Sequence, residues 1–515
     1  MTGVPKMNKN LYRKIIIAMM VTALGGASAF AEDAAAQASA ESAPKAPVSV
    51  AKVRPVDVTP ALREELARQI AAESEKKAQK RAAKKEQDPV IVIGRVAPDQ
   101  AVELTLPKTV QMALDYNRDI KVAHYDLKSA EYYIDEARAG KMPQFSYTFD
   151  ATRRENSGSS SVSNRDSITN SFGHGLSVNI PLYTGGRVEG QIAVAKLGKT
   201  SAQEEILRVE QATKLSAVQG YFGLLAYEEL RDVYHEAVAN MQGHVDNVTA
   251  QYNVGTVAKL DVLTSNVSLA DAKTNAVTAD NNVAVAEANL NNILGLPLQT
   301  KLELVDHHLP FESYDISLQE ALDYAMKYRP EVLQAALSVR QAEENIGIAN
   351  AGNMPTVSIG AGNDWNDEDF PGSGNSAWRV TGGITFSFFD GGATNARVKQ
   401  AKQALLAARE TEQQTREAVQ LAVKQAYLNI RSAAQRVEAS QSAVAEAEES
   451  FKIARVRYQA GVGINLDVLD AQLNLNQAQT NYIQALYDYN VGIAQLEQAM
   501  GVDVRSGVII PSMTE

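Results

Sequence analysis

The stretch QYNVGTVAKLDVL (Gln251–Leu263) returns later in the chain as RYQAGVGINLDVL (Arg457–Leu469). Tyr252, Gly255, Leu260, Asp261, Val262 and Leu263 recur as Tyr458, Gly461, Leu466, Asp467, Val468 and Leu469, each 206 positions on. A pattern written twice in one chain marks a repeated structural unit.

The repeat extends outward from this motif. LTLPKTVQMALDYNRDIKV (Leu104–Val122) parallels ISLQEALDYAMKYRPEVLQ (Ile316–Gln334), and Met142-Pro143 parallels Met354-Pro355 at an offset of 212. PLYTGGR (Pro181–Arg187) pairs with FFDGGAT (Phe388–Thr394), and LNNILGL (Leu290–Leu296) with LEQAMGV (Leu496–Val502), both at 206. The first copy therefore carries six more residues between its Met-Pro and Gly-Gly, an insertion expected in a surface loop. These offsets predict repeats over 103–314 and 315–504, followed by a short tail over 505–515.

Each copy has the same internal order. A helical stretch of about 35 residues ends near Gly140 or Gly352. Proline then marks a change of period. Phe145, Tyr147 and Phe149 alternate with polar residues, and after a Ser/Asn/Gly-rich loop so do Leu176, Val178, Ile180 and Leu182. In the second copy the alternating sets are Val357 and Ile359, then Val380, Ile384, Phe386 and Phe388. Period two with aromatics, broken by a polar loop, predicts a β-hairpin in each copy. After each Gly-Gly, Arg187–Asn253 and Ala393–Gln459 run without proline. Each predicts roughly 100 Å of helix at 1.5 Å per residue, with steps such as Leu215, Val218, Phe222 and Leu225 supplying a buried stripe. The repeated motif turns the chain, with Gly255 and Gly461 permitting the turn, and a helix of about 37 residues returns to Gly295 or Gly501. Leading and returning helices together match one long helix in length, so they can stack end to end beside it. The expected fold is α+β: long antiparallel helical hairpins with a β-hairpin at one end of each and the repeated turn at the other.

Composition sets the class. The chain has 515 residues, 45% of them hydrophobic, a formal net charge of −11 and no cysteine. The acidic balance argues against nucleic acid as a partner, since phosphate binding needs concentrated Lys and Arg. The missing cysteine excludes disulfides, thiolate metal sites, a cysteine nucleophile and an N-terminal lipid attached through sulfur. Lys9, Arg13 and Lys14, the apolar run Ile15–Leu24 and Ala29-Phe30-Ala31 predict a cleaved export signal over 1–31, with Met7 a possible initiator. No other run approaches the roughly 20 apolar residues of a spanning helix, so a membrane would be crossed by strands. Residues 32–102 read as an extension, flexible at first and then helical over Leu62–Lys85. Its basic block at 76–85 is either a solvated helix face or a contact for an anionic surface such as the cell wall.

Four candidate strands per chain cannot close a barrel of usable bore, whereas three copies supply about twelve, an even number as bacterial barrels require. A homotrimer follows, its helices continuing the tube below the membrane. With its motifs in this order and at these offsets, the chain resembles the TolC-like outer-membrane efflux protein family. The resemblance implies a trimeric twelve-stranded β-barrel in outer-membrane lipid with an α-helical barrel in the periplasm. It implies an exit duct for tripartite efflux or type I secretion, partnered by a periplasmic adaptor (membrane fusion) protein and an inner-membrane transporter. It places a gate at the second turn, where Asp467 and Asp470 would form carboxylate rings, with Asp261 and Tyr458 making closing contacts between neighbouring hairpins. Capping of the returning helices is the alternative role for Asp261 and Asp467. The family's best-known gate has an arginine two residues after the turn glycine, and this chain has Gly463 there. Val254, Gly255, Thr256 and Ala460, Gly461, Val462 resemble the family's adaptor-docking turns; a need for glycine in the turn itself is the simpler account of Gly255 and Gly461.

Other signals are weak. DWNDED (Asp364–Asp369) lacks the glycine and glutamate of an EF-hand loop and is expected as polar surface in an outer loop. His307-His308 has no evident third ligand and is expected in solvent. No phosphate loop or nucleophile spacing is present, so no enzyme activity, cofactor or metal is expected. The competing reading is a periplasmic helical tethering protein, which leaves the aromatic hairpins without a role.

Overall fold

A computed structural model describes residues 101–156 and 167–504. The expected export signal, the extension with its basic block and the tail lie outside the described residues, as does the tip of the first hairpin. In chain order the elements are β1 (Val102–Leu104), α1 (Leu106–Tyr116), α2 (Arg118–Ala139), β2 (Gln144–Asn156), β3 (Ser167–Tyr183), α3 (Arg187–Asn253) and α4 (Lys259–Leu294). The same order then recurs as β4 (Leu302–Leu304), α5 (Leu318–Tyr328), α6 (Pro330–Asn350), β5 (Thr356–Asp367), β6 (Asn375–Thr385), α7 (Ala393–Gln459) and α8 (Asn465–Met500).

Both long helices have 67 residues and both returning helices 36. The leading stretch is not one helix. It breaks at Asn117, whose side chain accepts from Asp119 N and caps α2, and at Arg329 ahead of Pro330. Proline disfavours helical backbone in the residue before it, which explains the second break. The short strands β1 and β4, too brief to show a period, pair in parallel and bring the start of the first repeat beside the stretch that leads into the second.

Helices α2 and α4 both lie against α3, and α6 and α8 both lie between α3 and α7. Short helices therefore follow one another along each long one, as the lengths require. The main core sits at mid-height, where Tyr221, Leu224 and Leu225 of α3 meet Leu290 and Leu294 of α4, Val423 and Val437 of α7, and Leu496 and Met500 of α8. A charged pair crosses this level: Lys214 Nζ of α3 lies 2.8 Å from Glu497 Oε2 of α8. No described helix is long and apolar enough to cross a membrane.

The four long strands form one antiparallel sheet in the order β2-β3-β5-β6. The register sorts its two faces. Phe145, Tyr147 and Phe149 of β2 lie opposite Val178, Leu176 and His174 of β3; Val178 and His174 in turn face Ala361 and Trp365 of β5. Val380 and Trp378 of β6 continue this mainly apolar face, which also carries Asn363 between Leu176 and Trp378. The other face carries Ser146 against Ser177, Gly175 against Asp364, and Gly362 against Arg379. Arg379 Nη1 donates to Asp364 Oδ2 at 2.6 Å there.

Three sequence expectations change here. Strand β6 ends at Thr385, so Phe386 and Phe388 stand exposed beyond the sheet rather than continuing its alternation. The register shifts between Pro181 and Tyr183, which places Leu182 in a bulge; a proline on a central strand cannot donate to the ladder and bulges accommodate it. Asp364–Asp367 belong to β5, not to an outer loop.

Candidate functional site at the paired turns

Helix α3 ends in a turn built on Gly255, whose φ is 84°, and α7 in one built on Gly461, whose φ is 74°. Both use the same hydrogen bonds. Gly255 N donates to Tyr252 O and Thr256 N to Gln251 O; Gly461 N donates to Tyr458 O and Val462 N to Arg457 O. This is the Schellman arrangement, which satisfies the last helical carbonyls and needs a left-handed residue just past the helix. An added Cβ at Gly255 or Gly461 would meet nothing within 4 Å, so backbone conformation, not space, requires glycine. All six residues expected to meet a partner, Val254, Gly255, Thr256, Ala460, Gly461 and Val462, are exposed.

Gly463 has a local reason to be glycine. Its N also donates to Arg457 O, and an added Cβ would stand 3.0 Å from Tyr458 N and 3.2 Å from Arg457 C. Any side chain here crowds the backbone of its own turn.

The returning helices place the acids. Asp261 is the third residue of α4 and Asp467 the third of α8. The cap positions are Ala258 and Ile464, without side-chain cap hydrogen bonds, so neither aspartate caps its helix. In the first turn each still lies where the helix dipole favours negative charge. Asp467 and Asp470 are exposed on one side of α8, while Asn465 and Val468 are buried on the other. Asp261 is half-buried.

Tyr458 is only 4% exposed and packs with Val248, Phe451, Val468, Ala471 and Leu475. Its ring lies 5.1 Å from that of His244 on α3. Burial raises the phenol above its ordinary value, and the nearby Asp261 carboxylate raises it further. The Tyr458 hydroxyl has no hydrogen-bond partner among the described residues. Tyr458 thus joins the two helical hairpins of one chain through apolar packing, beside but not bonded to the Asp261 carboxylate.

One residue was missed by the sequence reading. Asn465, the first residue of α8, is 6% exposed and uses both ends of its amide. Its Oδ1 accepts from His244 Nε2 at 2.6 Å and from Ser265 Oγ at 3.1 Å. Its Nδ2 donates to Thr264 Oγ1 at 3.1 Å and to Asp261 O at 3.3 Å. This hub ties α8 to both helices of the first hairpin. Nothing in the sequence singles it out: Asn465 stands where the first copy has Lys259, and that is one of seven differing positions among the thirteen of the motif.

The outer membrane efflux protein family model matches residues 109–296 and 321–502. Outer membrane protein TolC of Escherichia coli (strain K12) is 25% identical over 414 residues, covering 77% of this chain and 82% of that protein. Outer membrane efflux protein BepC of Brucella suis is 26% identical over 333 residues, covering 64% of this chain and 71% of that protein. The crystal structure of the outer membrane protein VceC from Vibrio cholerae superposes with a TM-score of 0.65 at 19% identity, covering 77% of this chain and 96% of that one. The fold agrees with these likenesses, and the two matched segments take in well over half of the chain; it belongs to the outer membrane efflux protein family.

Proposed function

We propose that this outer-membrane efflux channel works as a homotrimer whose three sheets close a twelve-stranded barrel in lipid, with the long helices forming a tube into the periplasm. The observation that carries this is the sheet. It has four strands, an apolar face and a polar face, and unpaired edges at β2 and β6. Lipid tolerates no open sheet edge, and strands of 11–17 residues are long enough for the 9–11 or so needed to cross a bilayer. Pairing β6 of one copy with β2 of the next removes every edge, the apolar face toward lipid and the polar face toward the lumen. A helical tether has no use for such a sheet.

On this reading the exposed turns at Val254–Thr256 and Ala460–Val462 are the docking points for a periplasmic adaptor, which couples the duct to an inner-membrane transporter. Asp467 and Asp470, three of each in the trimer, line the narrow entrance and favour cations. Asp261 and Tyr458 support that entrance from between the hairpins. Residues 1–31 are the export signal, and the two repeats over 103–314 and 315–504 each contribute one hairpin of helices and one of strands. The basic block at 76–85, outside the described residues, is a candidate contact for the cell wall.

Electron microscopy of the detergent-extracted protein tests the assembly. The expected particle is a three-fold tube with a short membrane cap and a helical barrel of roughly 100 Å. A monomeric rod would end the barrel reading.

A further inference from the structure

The Asn465 hub sits two residues before Asp467, at the start of the helix that carries both proposed gate acids. The first turn of α8 cannot move away from the first hairpin without breaking its bonds to His244, Ser265, Thr264 and the Asp261 carbonyl. The hub is built from neutral groups. An amide oxygen only accepts, so His244 Nε2 carries the proton it donates, and the ring needs no charge to do so. We propose that the Asn465 hub is the latch that holds the tip of the second hairpin against the first, and that His244 makes this latch release in acid. The proposal rests on the channel reading and names how its entrance is held.

The acid response follows from where His244 lies. The residue is 6% exposed. The groups that face it are the Asn465 amide from α8 and the Tyr458 ring from α7, while Ser265 of α4 joins the same amide. Asp261 of α4 acts on the Tyr458 phenol, and among the described residues no acid pairs with the imidazole. Burial therefore pushes the imidazole below its ordinary value, against the smaller opposing effect of the Asn465 bond. The latched state binds fewer protons than a state in which the ring meets water. Latching is fully present above the free imidazole value near 6.5 and weakens as pH falls below it. A buried, fully satisfied hydrogen-bond set that gains an uncompensated charge is strongly disfavoured.

The experiment is single-channel conductance of the purified full-length protein in planar bilayers, recorded from about pH 8 to about pH 5.5, above the range where carboxylates titrate. The wild-type current at neutral pH is the baseline. It is expected to rise several-fold as pH falls through the histidine range. His244→Gln keeps an N–H donor without titrating there, and is expected to stay at the baseline throughout. Asn465→Leu, which removes all four bonds, is expected to conduct several-fold above baseline at every pH. A wild-type current that does not change with pH overturns the latch while leaving the channel intact, and this result needs no variant to fold. A pH profile unchanged by His244→Gln overturns it equally.

Discussion

Gly255 and Gly461 hold left-handed backbone with open space around them. Gly255→Ala and Gly461→Ala should therefore each cost about 1 kcal/mol through backbone strain alone, read as a small fall in melting temperature with the fold intact. At Gly463 the cost has a different source, crowding of an added Cβ against the turn's own backbone. Lys214 and Glu497 give a sharper test of the mid-height core. Glu497 is buried, and among the described residues its Oε1 has no hydrogen-bond partner, the ion pair being formed by Oε2. Lys214→Met strands that carboxylate and should cost about 3–5 kcal/mol. The double change Lys214→Met/Glu497→Leu should recover most of it, measured by denaturant unfolding. The glycines were legible in the sequence because φ > 0 has few tenants. Lys214 and Glu497 were not, because 283 residues separate them and nothing local marks a partner that distant.

At the scale of elements, the strands carry the clearest prediction. Leu176 and Ser177 are neighbours on β3 but lie on opposite faces of the sheet. Leu176→Arg places a charge toward lipid and should cost about 2–4 kcal/mol near the bilayer midplane. Ser177→Arg points into the proposed lumen and should be tolerated. The yield of assembled trimer in the membrane fraction separates them: equal yields would mean the apolar face does not meet lipid. The long helices were readable residue for residue because 67 positions without proline allow nothing else so regular. The ends of the strands were less so. Phe386 and Phe388 keep the alternating pattern, yet their backbone has left the sheet, since pattern records which residues are apolar and not where pairing stops. Asparagine favours the cap position over the helix interior, so Asn117 did carry a signal, but one polar residue within a helical stretch does not by itself mark an end.

For the whole molecule, the proposed entrance follows from symmetry acting on one exposed acidic face. Asp467→Asn/Asp470→Asn removes six carboxylates from the trimer's entrance, two from each of three copies. Cation selectivity, measured as reversal potential across a salt gradient, should then fall sharply while the particle keeps its shape. Unchanged selectivity would place the filter elsewhere. The latch belongs to the same scale, since its members come from α3, α4 and α8 and act only if the two hairpins move as bodies.

The amino-acid sequence by itself determined the duplication, the lengths of the long and returning helices, the hairpins and the two turns. All of these are local, written in periods of two and 3.6 and in glycines at fixed offsets. The spacing of three already put Asp467 and Asp470 on one helix face; only the tertiary structure decided that this face is the exposed one, that Asn465 binds His244 and Ser265, and that Tyr458 packs away from solvent. Side chains from four helices meet at that end, and which of them touch depends on how the hairpins pack, a long-range quantity that no single segment contains.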